Sequence, residues 1–247
     1  MTWVPLELSL FPPLHVFHFD RKLVGGVSAN VFYGSTAAMA GIEVGLVNHE
    51  NEWGVGLQVG GLGNDVAGDF GGIQIGGFGN VVRGRHVGLQ LSWVLNAALD
   101  DAWGLQLGAA NYAQRAPLDP RGGEARAKVI REAAMVGVQI GLANGTENFV
   151  GLQLALWNEN DNRIDGLSAG IFATFAHGKP IDPHAAGHDL DPSWGAEIAP
   201  LTWARELSGV QIGVVNVARR VRGLQLGLVN VQTRGPIPFL PIANVGF

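Results

Sequence analysis

The sequence predicts an all-β fold: an antiparallel, transmembrane-type β-barrel of about 14 strands, with a β-solenoid of one coil per repeat as the alternative. Three observations lead there. A short unit recurs along most of the 247 residues. Within each unit, apolar residues alternate with glycine and glutamine, the period of two that marks a strand. Between units lie turn-forming and charged residues.

The unit is clearest in Gly56-Leu57-Gln58-Val59, Gly72-Ile73-Gln74-Ile75, Gly88-Leu89-Gln90-Leu91 and Gly104-Leu105-Gln106-Leu107. After a gap it returns as Gly137-Val138-Gln139-Ile140, Gly151-Leu152-Gln153-Leu154, Gly209-Val210-Gln211-Ile212 and Gly223-Leu224-Gln225-Leu226. Each copy closes on an asparagine: Asn64, Asn80, Asn96, Asn111, Asn144, Asn158, Asn216 and Asn230. Gly41-Ile42-Glu43-Val44, closing on Asn48, is an earlier copy with Glu in place of Gln. Gly166-Leu167-Ser168-Ala169 and Gly195-Ala196-Glu197-Ile198 are degenerate copies. Steps between units run from 14 to 16 residues, a fixed short period that marks a repeat architecture.

Taken in order, residues 5–11 and 23–33 read as strands ahead of the repeats. Within a copy, Leu89, Leu91, Trp93 and Leu95 point one way, and Gly88, Gln90, Ser92 and Val94 the other. Two insertions interrupt what is otherwise one repeat-built domain over residues 1–247. Residues 112–135 include an Ala-rich stretch, 124–135, with helical character. Residues 176–194 are rich in Pro, His, Asp and Gly and read as a loop. The closing segment alternates back from Phe247 through Val245, Ala243, Pro241 and Phe239.

These repeats resemble a family of bacterial surface-repeat proteins built from units of the GVQIAGLFN or GLQIGLVN kind. The resemblance covers nearly the whole chain. It includes the opening Leu6-Glu7-Leu8-Ser9-Leu10-Phe11-Pro12-Pro13-Leu14, the strand Val27-Ser28-Ala29-Asn30-Val31, and the closing Phe239-Leu240-Pro241-Ile242-Ala243-Asn244-Val245-Gly246-Phe247. It implies an exported envelope protein, at the bacterial outer membrane or cell surface, and carries no activity with it. The start, Met1-Thr2-Trp3-Val4-Pro5, has no signal peptide, so an export signal is expected to have been removed. With no lipobox Cys, the resemblance does not extend to lipid anchoring.

The two architectures use the same strand differently. In the barrel, each copy spans the membrane with Leu and Ile toward lipid and Gly and Gln toward the lumen. Extending a copy from residue 87 to 98 reaches the roughly 9–11 residues that a spanning strand needs. Trp53, Trp93, Trp103, Trp157 and Trp203 lie in or near unit ends, where aromatic girdles sit. The terminal Phe247 resembles the C-terminal signal of outer-membrane barrels, and closure pairs residues near Leu8 with residues near Ala243. In the solenoid, each copy is one coil, Leu and Ile point into a narrow core, and the asparagines stack in a ladder. The near-identity of the copies favours that alternative, as does the placing of the two insertions on opposite ends of a barrel. Against it, the return half of a coil holds Asp100-Asp101 or Arg219-Arg220, poor residues for a core.

Composition excludes several functions. With 15% charged residues and a net charge of −5, the chain lacks the clustered Lys and Arg of a nucleic-acid partner. Zero cysteines rule out disulfides and thiolate metal sites. No nucleophile elbow, phosphate loop or zinc-binding helix motif occurs, so neither an enzyme nor a cofactor nor a metal is expected. His177, His184, His188 and Asp189 crowd the second insertion at a spacing that matches no metal motif, and they read as a solvated loop. Arg126, Lys128 and Arg131 read as a solvated face. The candidate functional feature is the Gln row: Gln58, Gln74, Gln90, Gln106, Gln139, Gln153, Gln211 and Gln225. In a barrel it lines the lumen of a structural protein or of a passive channel for small neutral solutes. In the alternative, the chain is an exported surface scaffold, binding or structural. Membrane lipid is the expected partner, and the sequence leaves the oligomeric state open.

Overall fold

In the computed structural model, which describes residues 2–11, 14–15, 22–114, 134–177, 193–235 and 237–247, successive copies run in the same direction and lie on one another in register. Gly56 pairs with Gly72, Gly72 with Gly88, and Gly88 with Gly104, all in parallel. A second parallel ladder joins Asn64 to Asn80, Asn80 to Asn96, and Asn96 to Asn111. One turn therefore consists of a glutamine strand, a bend and an asparagine strand. Strands β4 (Phe70–Gly76) and β5 (Gly79–Val82) form one turn, β6 (His86–Ser92) and β7 (Leu95–Ala98) the next, and β8 (Ala102–Leu107) and β9 (Ala110–Ala113) the one after. The long β3 (Lys22–Val66) coils through the preceding turns, with Gly56 stacked over Gly41 and Gly41 over Gly26.

This is a parallel β-solenoid, and it overturns the antiparallel barrel of about 14 strands together with its transmembrane, porin-like reading. Neighbouring strands of a barrel alternate in direction, whereas here each copy returns within its own 14–16 residues and starts again above itself. The closing ladder of the barrel is replaced at both ends: Leu8 pairs with Ala29, and Ala243 pairs with Leu226. Of the residues that count against a solenoid, Asp100 lies half-buried in a bend between strands, and Asp101 beside it is buried. Arg219 and Arg220 are half-buried in a coil strand, where Arg220 meets Glu206 at 3.8 Å.

The chain divides into two compact units, Met1–Ala116 and Pro117–Phe247. The first has β1 (Thr2–Phe11) lying parallel on β3, with β2 (Leu14–His15) antiparallel to β1. The second contains β10 (Ala134–Ile140), β11 (Ala143–Ala176), β12 (Ser193–Ile198), β13 (Leu201–Ile212) and β14 (Val215–Gln232), all in parallel, and β15 (Phe239–Gly246), which is antiparallel to β14. The two degenerate copies are full turns. Gly166 pairs with Gly195, so the strands on either side of the second insertion keep the register. Residues 115–133, which hold all but the end of the stretch expected to be helical and include Arg126, Lys128 and Arg131, lie outside the described residues, as do residues 178–192. Ala134 and Met135, the last two of that stretch, open a strand instead.

The glycine that opens each copy is a geometric requirement. Gly72 adopts φ +130, and a Cβ there would stand 2.0 Å from the carbonyl oxygen of Gly56 below it. Ten other glycines, from Gly41 to Gly223, share this positive φ, which gives about eleven turns across the two units.

Candidate binding surface

The alternation of two within each strand settles which residues share a face, and burial shows which face is inside. All eight glutamines of the predicted row are buried. They do not surround a lumen, because their own amides fill the space between turns. Gln74 Nε2 donates to Gln58 Oε1 at 2.7 Å, Gln90 to Gln74 at 2.9 Å, and Gln106 to Gln90 at 2.8 Å. In the second unit, Gln153 donates to Gln139 and Gln225 to Gln211, each at 2.8 Å.

The asparagines form a second ladder of opposite polarity. Asn48 donates to Asn64 at 2.8 Å, Asn64 to Asn80 at 2.7 Å, and Asn80 to Asn96 at 2.9 Å. Glutamines thus donate toward the preceding turn and asparagines toward the following one. Asparagine Nδ2 also donates to a strand carbonyl of the next turn, as Asn64 does to Ile75 O at 3.0 Å. Stacked amides in register supply each other's missing partners, which is what makes a polar core tolerable.

Carboxyl groups stand where a glutamine ladder needs an acceptor. Glu43 Oε2 accepts from Gln58 Nε2 at 3.0 Å, and its Oε1 accepts from Asn30 Nδ2 at 2.7 Å. Glu50 accepts from the same Gln58 amide, and burial, reinforced by the adjacent Glu43, pushes its carboxyl well above the usual range. Glu197 Oε2 accepts from Gln211 at 3.0 Å, and burial pushes its carboxyl up to about 8. Apolar residues complete the interior: Met39, Val66, Phe70 and Val82 form one cluster. His86 stacks on Phe70 at 5.9 Å, and burial lowers it to about 4.

The Leu, Ile and Val rows face outward, the reverse of what the solenoid alternative supposed. In the first unit, the positions one before, one after and three after the opening glycines run Ala40, Ile42, Val44; Val55, Leu57, Val59; Gly71, Ile73, Ile75; Val87, Leu89, Leu91; and Trp103, Leu105, Leu107. None is charged. Charges gather at the opposite corner, where Arg83 meets Asp65 at 3.0 Å and Arg85 meets Asp69 at 2.9 Å.

A further apolar row stands on the bend between the two strands of each turn. Leu46, Leu62, Phe78 and Val94 each lie two residues before the closing asparagine, and all four are exposed. This row was missed as a functional feature, although its signal is plain in the repeat: Leu142, Val214 and Leu228 hold the same place in the second unit. The expected tryptophan girdles are not girdles. Trp93 projects from a bend, Trp103 lies on the outward sheet, and Trp53 is half-buried. Trp157 and Trp203 belong to a column through Phe175 and His177, with ring centroids 4.8 Å, 5.7 Å and 5.3 Å apart. His177 also lies 3.3 Å from Glu159; the rest of the His cluster, His184, His188 and Asp189, is outside the described residues. Among the described residues, no three His, Asp or Glu side chains are grouped to hold a metal ion.

The chain matches no family model, no curated protein and no solved structure, so the chemistry of these surfaces carries the functional reading.

Proposed function

We propose that this protein is an exported bacterial surface scaffold, a β-solenoid whose outward apolar sheet is its working surface. The export address rests on the resemblance of the repeat unit to bacterial surface-repeat proteins. The observation that supports the working surface is the inversion of the usual arrangement. Amides hold the inside of each turn, and uncharged, mostly apolar rows cover the outer face of the glutamine strands from Ala40 to Leu107. The largest contiguous apolar patch on a monomer, typically a few hundred Å², is often a site of interaction.

Binding of a hydrophobic dye and of non-ionic detergent micelles to the purified chain tests this reading. The wild type should bind both. The combined substitutions Ile73→Thr, Ile75→Thr and Leu91→Thr should reduce that binding while leaving the melting temperature nearly unchanged, because none of these side chains is buried in the core. A wild-type protein that is monodisperse in plain buffer and ignores both probes would remove the working surface.

A further inference from the structure

The outward surface is most exposed at its edge. Phe78 and Trp93 are 64% and 83% exposed, against 53% for Trp103 and 52% for Val87 on the flat sheet, while Leu62 at 51% and Leu46 and Val94 at 38% each complete the row. The edge is a bend fixed by the fold. The Phe78 N–H donates to Leu62 O at 2.6 Å, and the Val94 N–H donates to Phe78 O at 3.1 Å. Side chains on it are therefore held in a row at the strand spacing of about 4.8 Å. Such a row is convex and apolar, and it is built without loops.

Two kinds of partner could cover apolar surface of this size: another protein or lipid. The flat sheet alone is three outward residues wide and five turns long, on the order of 20 Å each way at strand spacings. That is a few hundred Å², below the roughly 800 Å² per partner of a stable protein complex. Enlarging it means engaging the convex edge, for which a protein partner needs a matching groove. Fluid acyl chains need no matching shape. The ion pairs Asp65–Arg83 and Asp69–Arg85 lie at the other corner of the turn, so the edge can enter a medium of low dielectric constant without taking charge along. Tryptophan, here on the most exposed site of the edge, is the side chain that favours the boundary between headgroups and acyl chains.

We infer that the row Leu46, Leu62, Phe78 and Val94, with Trp93, is a lipid-insertion edge by which the solenoid lies on a membrane surface. The inference rests on the outward apolar surface being the working one, and it adds the partner and the part of the surface that meets it. The turns dip into the headgroup boundary; no strand crosses the bilayer.

Vesicle flotation separates the outcomes, using phosphatidylcholine alone and phosphatidylethanolamine mixed with phosphatidylglycerol, each at low and high salt. The wild type should float with both compositions and hold at high salt, because insertion of uncharged side chains gains little from lipid charge. The triple substitution Leu62→Ser, Phe78→Ser and Trp93→Ser should weaken binding by at least about tenfold through lost apolar burial. Trp93→Phe guards against a folding defect: it should keep binding and lose much of the tryptophan quenching by brominated acyl chains. Wild-type protein that takes up detergent and dye but ignores both vesicles overturns the lipid edge and leaves the scaffold reading standing. Failure to bind any of the four probes overturns both. Binding only to the anionic vesicles and lost at high salt means adsorption by charge, and overturns insertion.

Discussion

At the scale of single residues, the ladders make glutamine a structural residue wherever it follows the positive-φ glycine by two. Gln90 donates to Gln74 and accepts from Gln106, so Gln90→Leu takes the donor from the buried Gln74 Oε1 and one of two acceptors from Gln106 Nε2, which keeps the Tyr112 carbonyl, while gaining little packing. A cost of about 1–3 kcal/mol is expected from unfolding in denaturant, the cost of one buried polar group left without a partner. A neutral result would show that the amides do not hold the turns. Glu197 brings a pH dependence into the same row. Its carboxyl sits at about 8 in the fold against an ordinary 4.5, so the folded chain retains a proton that the unfolded chain has lost. Its contribution is therefore full below about 4.5 and is lost as pH rises toward 8. Glu197→Gln should raise the melting temperature at pH 8 and barely change it at pH 4 (thermal melts across that range decide). His86 works in the opposite sense: held at about 4 against 6.5, it contributes stability above 6.5 that is lost as pH falls toward 4. His86→Phe should flatten the acid side of the profile.

At the scale of elements, the copies and their spacing were legible in the residues, down to the degenerate ones at Gly166 and Gly195, which pair as full turns. The relation between copies was not. A period of two sorts side chains onto two faces, but it says neither which face is inside nor whether the next strand runs parallel. The barrel put the leucines outside, as they are, and the solenoid alternative stacked the asparagines, as they are; each erred in the other half. The readable clue was the glycine itself, repeated at one site in every copy, because identical demands for positive φ imply identical surroundings. The C-terminal strand carries a related lesson. Its alternation up to Phe247 fits barrel closure as well as a cap, since an open sheet edge must be covered in either case. β15 does cover an edge, by lying antiparallel on the last turn, with Gly246 on Gly223 and Asn244 on Gln225. Pro241, with no N–H, and Ile242, at φ 71, then interrupt the outer side of β15. Deleting residues 239–247 should expose β14 as a long unpaired edge and produce dimers or larger assemblies. Light scattering after size exclusion reads this directly, and a stable monomer of the truncated chain would deny β15 its capping role.

At the scale of the whole molecule, a stack of equivalent turns differs from a closed sheet in how it tolerates loss. Each turn contacts only its neighbours, so stability is approximately a sum of turns and of interfaces between them. In the unit Met1–Ala116, Gly56, Gly72 and Gly88 hold one site in consecutive turns, and Asn64, Asn80 and Asn96 another. Removing residues 72–87 joins Gly71 to Gly88 and takes out one complete turn. Gln90 then meets Gln58, Asn64 meets Asn96, and both ladders continue with their polarity intact. The shortened protein should fold, keep its β-sheet circular dichroism and unfold at a modestly lower denaturant concentration, reflecting one interface fewer. Removing residues 72–79 is the control. It deletes a glutamine strand but leaves its asparagine strand behind, so a turn is left without a rung and Gln90 without its acceptor. That half-turn deletion should destabilise far more than the full-turn deletion, although it removes half as much chain. If the two deletions were equally damaging, the turns would not be independent stacking units, and the additive picture of this solenoid would have to be given up.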